Sequence, residues 1–216
     1  MKSNLARTII GLTVLLLTAL PYASAAEMAP AAAEAPMSMK AVDLRLTLRT
    51  LWVGHIFWVR NVVIATHSHD MKAAKASEEM VVKNAKDIGG AVASFYGQEA
   101  GDKMFNLLAG HYGAVKEYMN ATFKGDKKGA AAATDKATKN AEEIAAFLSS
   151  ANPYLPKDTL MSLLSAHYGH HMAQINAVQA KDWSGEASNW IAMRKHIDSI
   201  ADALSSALVK QYPGKF

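Results

Sequence analysis

Three histidines stand at equal intervals in this chain: His55, His111 and His167, each 56 residues from the last. The same step links Asn84, Asn140 and His196, then Asp70, Asp126 and Asp182, then Ile88, Ile144 and Ile200. Residues 100–155 laid over 156–211 agree at 18 of 56 positions, and 44–99 laid over 100–155 at 15. A fixed period of this length marks one supersecondary unit copied along the chain. It also gives any polar residue of one copy a counterpart in the others, so the functional question is whether those polar positions meet.

Apolar residues recur at intervals of three and four: Leu44, Leu48, Leu51, His55, Val59 and Val62 in the first copy, and Met104, Leu107, Leu108, His111, Val115 and Met119 in the second. Leu160, Leu163, Leu164, His167, His171 and Ile175 follow in the third. That is the spacing of one helix face. It predicts first helices over 42–66, 102–123 and 158–180, with Asp102 and Asp158 placed as caps, and second helices over 75–96, 131–151 and 187–209. Polar turns lie between them, with Asp70, Asp126 and Asp182 as turn or capping residues. The expected fold is all-α: a six-helix bundle made of three repeated helical hairpins, either closed or extended as a stack.

The repeats 44–99, 100–155 and 156–211 define a single helical domain over 42–213. Residues 1–25 read as a secretory signal peptide: Lys2 and Arg7, a short apolar run from Ile9 to Leu20, then Ala23-Ser24-Ala25. The apolar run is short for a membrane span, so no integral span is expected after cleavage. The expected location is the periplasm or outside the cell. Residues 26–41, rich in Ala, Pro and Met, read as a flexible linker in which Met28, Met37 and Met39 are soft candidate ligands for copper(I). The chain has no cysteine, which removes disulfides and thiolate metal sites. A formal charge of +4 with scattered basic residues does not point to nucleic acid.

The repeated histidines fall on apolar faces, as do Asn84, Asn140 and His196. A buried polar side chain needs a partner, because leaving it unpaired costs about 1–3 kcal/mol. The constant separation of 29 residues suggests the pairs His55/Asn84, His111/Asn140 and His167/His196, as latches that fix helix register. A sharper expectation comes from the third copy. His167 and His171 lie one helical turn apart on one face, and His196 replaces the Asn of the other copies. His167, His171 and His196, joined by His55 and His111, are the candidate metal ligands. Imidazole without thiolate suits zinc, copper, iron or nickel, and binding is expected to weaken below about pH 6. His67, His69, Asp70 and Met71 form a second, surface candidate in a turn. Trp52, Trp58, Tyr112, Tyr118, Tyr168, Trp183 and Trp190 are candidate pocket aromatics.

Phosphate-binding glycine loops, nucleophile elbows, H-E-x-x-H and c-type haem attachment motifs are absent from the sequence. Binding is therefore expected rather than catalysis: of a metal ion or small ligand at a histidine-rich core, or alternatively of a ligand or protein by a module whose His/Asn pairs are purely structural. The segments Leu51-Trp52-Val53-Gly54-His55-Ile56, Phe95-Tyr96-Gly97-Gln98-Glu99-Ala100-Gly101, Ser149-Ser150-Ala151-Asn152-Pro153 and Lys210-Gln211-Tyr212-Pro213 resemble a family of small bacterial all-helical proteins, some of which carry a glycosyltransferase label. The resemblance spans 44–213 and implies a helical fold. Similar sequences often have Glu before the repeated His, where this chain has Gly54, Gly110 and Ala166.

Overall fold

The computed structural model describes residues 37–216, so the signal-peptide reading and most of the proposed linker lie outside the described residues. Within them the protein is all-helical. Six long helices run Met39–His67 (α1), Met71–Tyr96 (α2), Gln98–Phe123 (α3), Lys127–Ala151 (α4), Lys157–Ala180 (α5) and Trp183–Gln211 (α6), followed by a short 3₁₀ turn at Pro213–Lys215. None of the described helices is long and apolar enough to cross a membrane.

The turn chemistry follows the 56-residue step. His69, Gly125 and Lys181 each adopt positive φ, at 60°, 71° and 56°. The next residue, Asp70, Asp126 or Asp182, sends its backbone N–H back to Ala65, Ala121 or Ala177. This closes the preceding helix by the six-to-one bond of a Schellman cap. The same aspartate then starts the next helix, its carboxylate accepting from the N–H of Ala73, Gly129 or Gly185 at 2.8–3.0 Å. One residue thus ends one helix and caps another, which is why α2, α4 and α6 begin four residues before the apolar pattern suggests. Asp102 and Asp158 are not N-caps. Gly97 and Pro156 hold those positions without a side-chain bond, and Asp102 lies inside α3, accepting from Gln98. At the first helix, Ser38 caps at Ala41, so the helix takes in the last residues of the expected linker.

Sequential helices pack against each other, and α6 also packs against α1. Bidentate ion pairs join these last two: Arg49 with Asp202 and Arg60 with Glu186. The bundle is therefore closed rather than extended. Its interior forms two apolar clusters. One gathers Leu48, Trp52, Met104, Leu108, Leu160, Leu164, Met193 and Ile197. The other gathers Val59, Val63, Val115, Tyr118, Tyr168, Ile175 and Val178. On α1, α3 and α5 the repeated histidines fall between residues of the first cluster and residues of the second.

Candidate metal centre

Helices α1, α3 and α5 each bring one buried histidine to the middle of the bundle, and α5 brings a second one turn later. His55, His111, His167 and His171 are 3%, 6%, 1% and 0% exposed. One ring nitrogen from each lies within 4.8 Å of the others. His167 Nε2 is 3.2 Å from His171 Nε2 and 3.4 Å from His55 Nε2. Among the described residues no carboxylate joins the four.

All six ring-to-ring separations are similar. His55 lies 5.7 Å from His111, 5.4 Å from His167 and 5.7 Å from His171. His111 lies 5.4 Å from His167 and 5.7 Å from His171, and the last pair is 4.6 Å apart. Four points with six comparable separations make a tetrahedron. With a metal–nitrogen bond of about 2.0–2.1 Å, tetrahedral ligation puts imidazole centres about 5.2 Å apart. A square-planar ion would instead need four separations of about 4.5 Å and two of about 6.4 Å. The four rings fit the first arrangement.

Burial also sets their charge state. Loss of hydration pushes the His55 pKa down to about 3, helped by His111, and the His111 pKa down to about 4. His167 and His171 are held well below the ordinary value, first by burial and then by the neighbouring imidazoles. All four are neutral at pH 7, with lone pairs available. Proton competition in the folded protein is thus shifted well below the pH 6 expected from an ordinary imidazole. Hydrogen bonding alone leaves the cluster incomplete: His111 Nε2, His167 Nδ1 and His171 Nδ1 are buried without a partner. A cation accepting His111 Nε2 would give that nitrogen one.

His196 stands outside this group. Its Nε2 lies 2.9 Å from the Leu163 carbonyl, and its ring neighbours His170 at 5.3 Å. The expected latches are also replaced by a different bond. Asn84 donates to the Leu51 carbonyl at 2.9 Å, and Asn140 to the Leu107 carbonyl at 3.0 Å. In all three copies the polar residue of the second helix thus bonds the backbone one turn before the histidine, not the imidazole. Gly54 and Gly110 are what let the asparagines reach: a Cβ there would sit 2.9 and 3.0 Å from the amide nitrogen. Those glycines were the sequence signal for the bond.

The turn candidate does not assemble. His67 packs edge-on against Phe123 and Trp183, and Asp70 is engaged as a cap. Of the pocket aromatics, Trp52 lines a small apolar cavity of about 50 Å³ together with Leu48, Phe95, Met104 and Leu148, and meets His55 edge-on. That volume falls well short of the several hundred Å³ of a typical small-molecule site. No family model matches the chain, and neither the curated proteins nor the solved structures contain a match to it.

Proposed function

We propose that this protein binds one tetrahedral transition-metal ion on His55, His111, His167 and His171. The observation that carries the reading is the near-equality of the six ring separations, close to those of four imidazoles on one ion. The donor set favours zinc(II) or copper(I), which accept tetrahedral nitrogen, over nickel(II) and copper(II), which prefer tetragonal sites. Iron is less well served, because no carboxylate accompanies the imidazoles. Four protein ligands leave no open position for substrate, so the site suits storage, transfer or structural binding rather than catalysis. With the export signal read at residues 1–25, the ion would be met in the periplasm or beyond.

The test uses untagged protein, loaded with zinc or, anaerobically, with copper(I), then desalted. One ion per chain is expected to survive desalting at the buried site, with four nitrogen neighbours at about 2.0 Å by X-ray absorption. A raised melting temperature should accompany loading, since an ion that binds only the native state stabilises it. Trace metal and an unchanged melting temperature would overturn the proposal. That outcome would favour a second reading, in which His167 Nε2 makes a single N–H···N bond, either across to His55 of α1 at 3.4 Å or within α5 to His171 at 3.2 Å, and the cluster serves packing alone.

A further inference from the structure

The third copy departs from the other two in imidazoles. His170 stands where the earlier copies have Trp58 and Ala114, His171 where they have Val59 and Val115, and His196 where they have Asn84 and Asn140. His171 completes the inner four. His170 and His196 do not: they lie together, half-buried, between α5 and α6, with ring centres 5.3 Å apart and planes at 43°.

Each of these rings is already fixed through one nitrogen. Asn189 donates its amide N–H to the His170 carbonyl at 3.0 Å, which assigns its Oδ1 to the His170 side chain. That oxygen only accepts, so His170 Nδ1, 3.0 Å away, carries the proton and Nε2 keeps a lone pair. The Leu163 carbonyl likewise requires the proton on His196 Nε2 and leaves Nδ1 bare. Imidazoles that bind metals are characteristically prepared this way, one N–H given to a carbonyl and the other nitrogen free. The separation also matches the roughly 5.2 Å expected for two imidazoles on one tetrahedral ion. Register-locking uses one nitrogen of each ring and leaves His170 Nε2 and His196 Nδ1 without a role. Asn84 and Asn140 make the same backbone bond as His196 without an imidazole, and Asn189, which holds His170, has Ser77 and Ala133 as its counterparts.

We propose that His170 Nε2 and His196 Nδ1 form a second, half-exposed site for a borderline divalent cation such as zinc(II), with water completing its shell. This site is distinct from the buried four and goes beyond the reading given for them. The experiment is a zinc titration of the full chain, followed by ¹H–¹⁵N correlations of the histidine rings. Two variants accompany it: His170→Ala, which installs the residue of the second copy, and His196→Asn combined with Ala166→Gly, which restores both the asparagine and its room. Zinc should shift His170 Nε2 and His196 Nδ1 together, and either variant should weaken that binding at least about tenfold.

The same titration of His171→Val, in which the inner group is cut to three ligands, separates the two sites: the outer shifts should persist. Unmoved His170 and His196 signals at saturating zinc, or unchanged binding in both variants, would overturn the outer site while leaving the inner one to its own test. Absence of inner binding in the unaltered chain, with the outer shifts intact, would overturn only the inner reading.

Discussion

The first two copies and the third solve one structural problem with different residues. In the first two, an asparagine on the second helix reaches a carbonyl on the first, through space left by Gly54 or Gly110. In the third, Ala166 closes that space, and the longer imidazole of His196 reaches the Leu163 carbonyl at the same distance. The fold needs only a donor at that place. The second nitrogen of His196, and the imidazoles at 170 and 171, have no counterpart in the first two copies and no part in that bond. The contrast separates polar residues that hold helices in register from those that converge on one point.

Acid should expose the convergent set most strongly. Each buried histidine has a folded-state pKa below 6.5, so between that value and its own depressed pKa the unfolded chain holds a proton that the folded chain refuses. Stability is then lost as pH falls below 6.5, and the loss continues to about pH 4 for His111 and about pH 3 for His55. The slope approaches about 1.4 kcal/mol per pH unit for each histidine, or up to about 5.5 for all four. A domain with an ordinary margin of about 5–15 kcal/mol should unfold near pH 5 or below. Denaturant unfolding of metal-free protein at pH 7.5, 6.5 and 5.5 measures this. Equal stability at all three values would mean that the rings are not held neutral.

The next largest effect is a divergence between affinity and stability. His171→Val gives the third copy the residue of the first two, at a position that is fully buried. Metal affinity at the inner site should fall by about a hundredfold or more, since a ligand is lost. At pH 7.5 the metal-free protein should be no less stable, and by about 1 kcal/mol more so, because an unpartnered buried nitrogen leaves with the side chain. Chelator competition and thermal melting on the same sample test both halves. A fall in stability without a fall in affinity would make His171 a packing residue.

The helices, their phase and the burial of His55, His111, His167 and His171 were legible in the sequence, because a 3.6-residue period fixes which face turns inward. The partners of the asparagines were not. A separation of 29 residues places two side chains at one height, yet the acceptor proved to be a backbone carbonyl, which no residue pattern records. His196 was joined to the metal ligands for the same reason: its replacement of asparagine was visible, but the carbonyl that holds it was not. Closure was also hidden. It depends on α6 meeting α1 through Arg49–Asp202 and Arg60–Glu186, pairs between the ends of the repeat on which its internal period is silent. The turn aspartates were read as caps or turn residues and are both.

Register-holding residues should behave in the opposite way to the ligands. Asn140→Ala removes a bond to the Leu107 carbonyl and should cost about 1 kcal/mol by denaturant unfolding, with metal affinity unchanged. If the affinity moved with it, the asparagine layer would be positioning the imidazoles and the division of labour drawn above would fail.

The finest test sets two glycines of neighbouring helices against each other. Alanine is favoured over glycine inside an exposed helix by about 0.5–1 kcal/mol. Gly90 of α2 is exposed, with nothing within 4 Å of an added Cβ, so Gly90→Ala should stabilise the protein by about that amount. At Gly54 of α1 the added carbon would meet the Asn84 amide nitrogen at 2.9 Å. Either the amide abandons the Leu51 carbonyl or the two helices shift, and both cost more than the propensity returns. Gly54→Ala should therefore destabilise by about 1 kcal/mol net. Combining it with Asn84→Ala removes the atom that is struck, so the double variant should be less damaging than the sum of the two single changes. Strict additivity would mean that Gly54 makes no room for Asn84. The presence of glycine before the histidine in the first two copies, and of alanine in the third, would then need another cause.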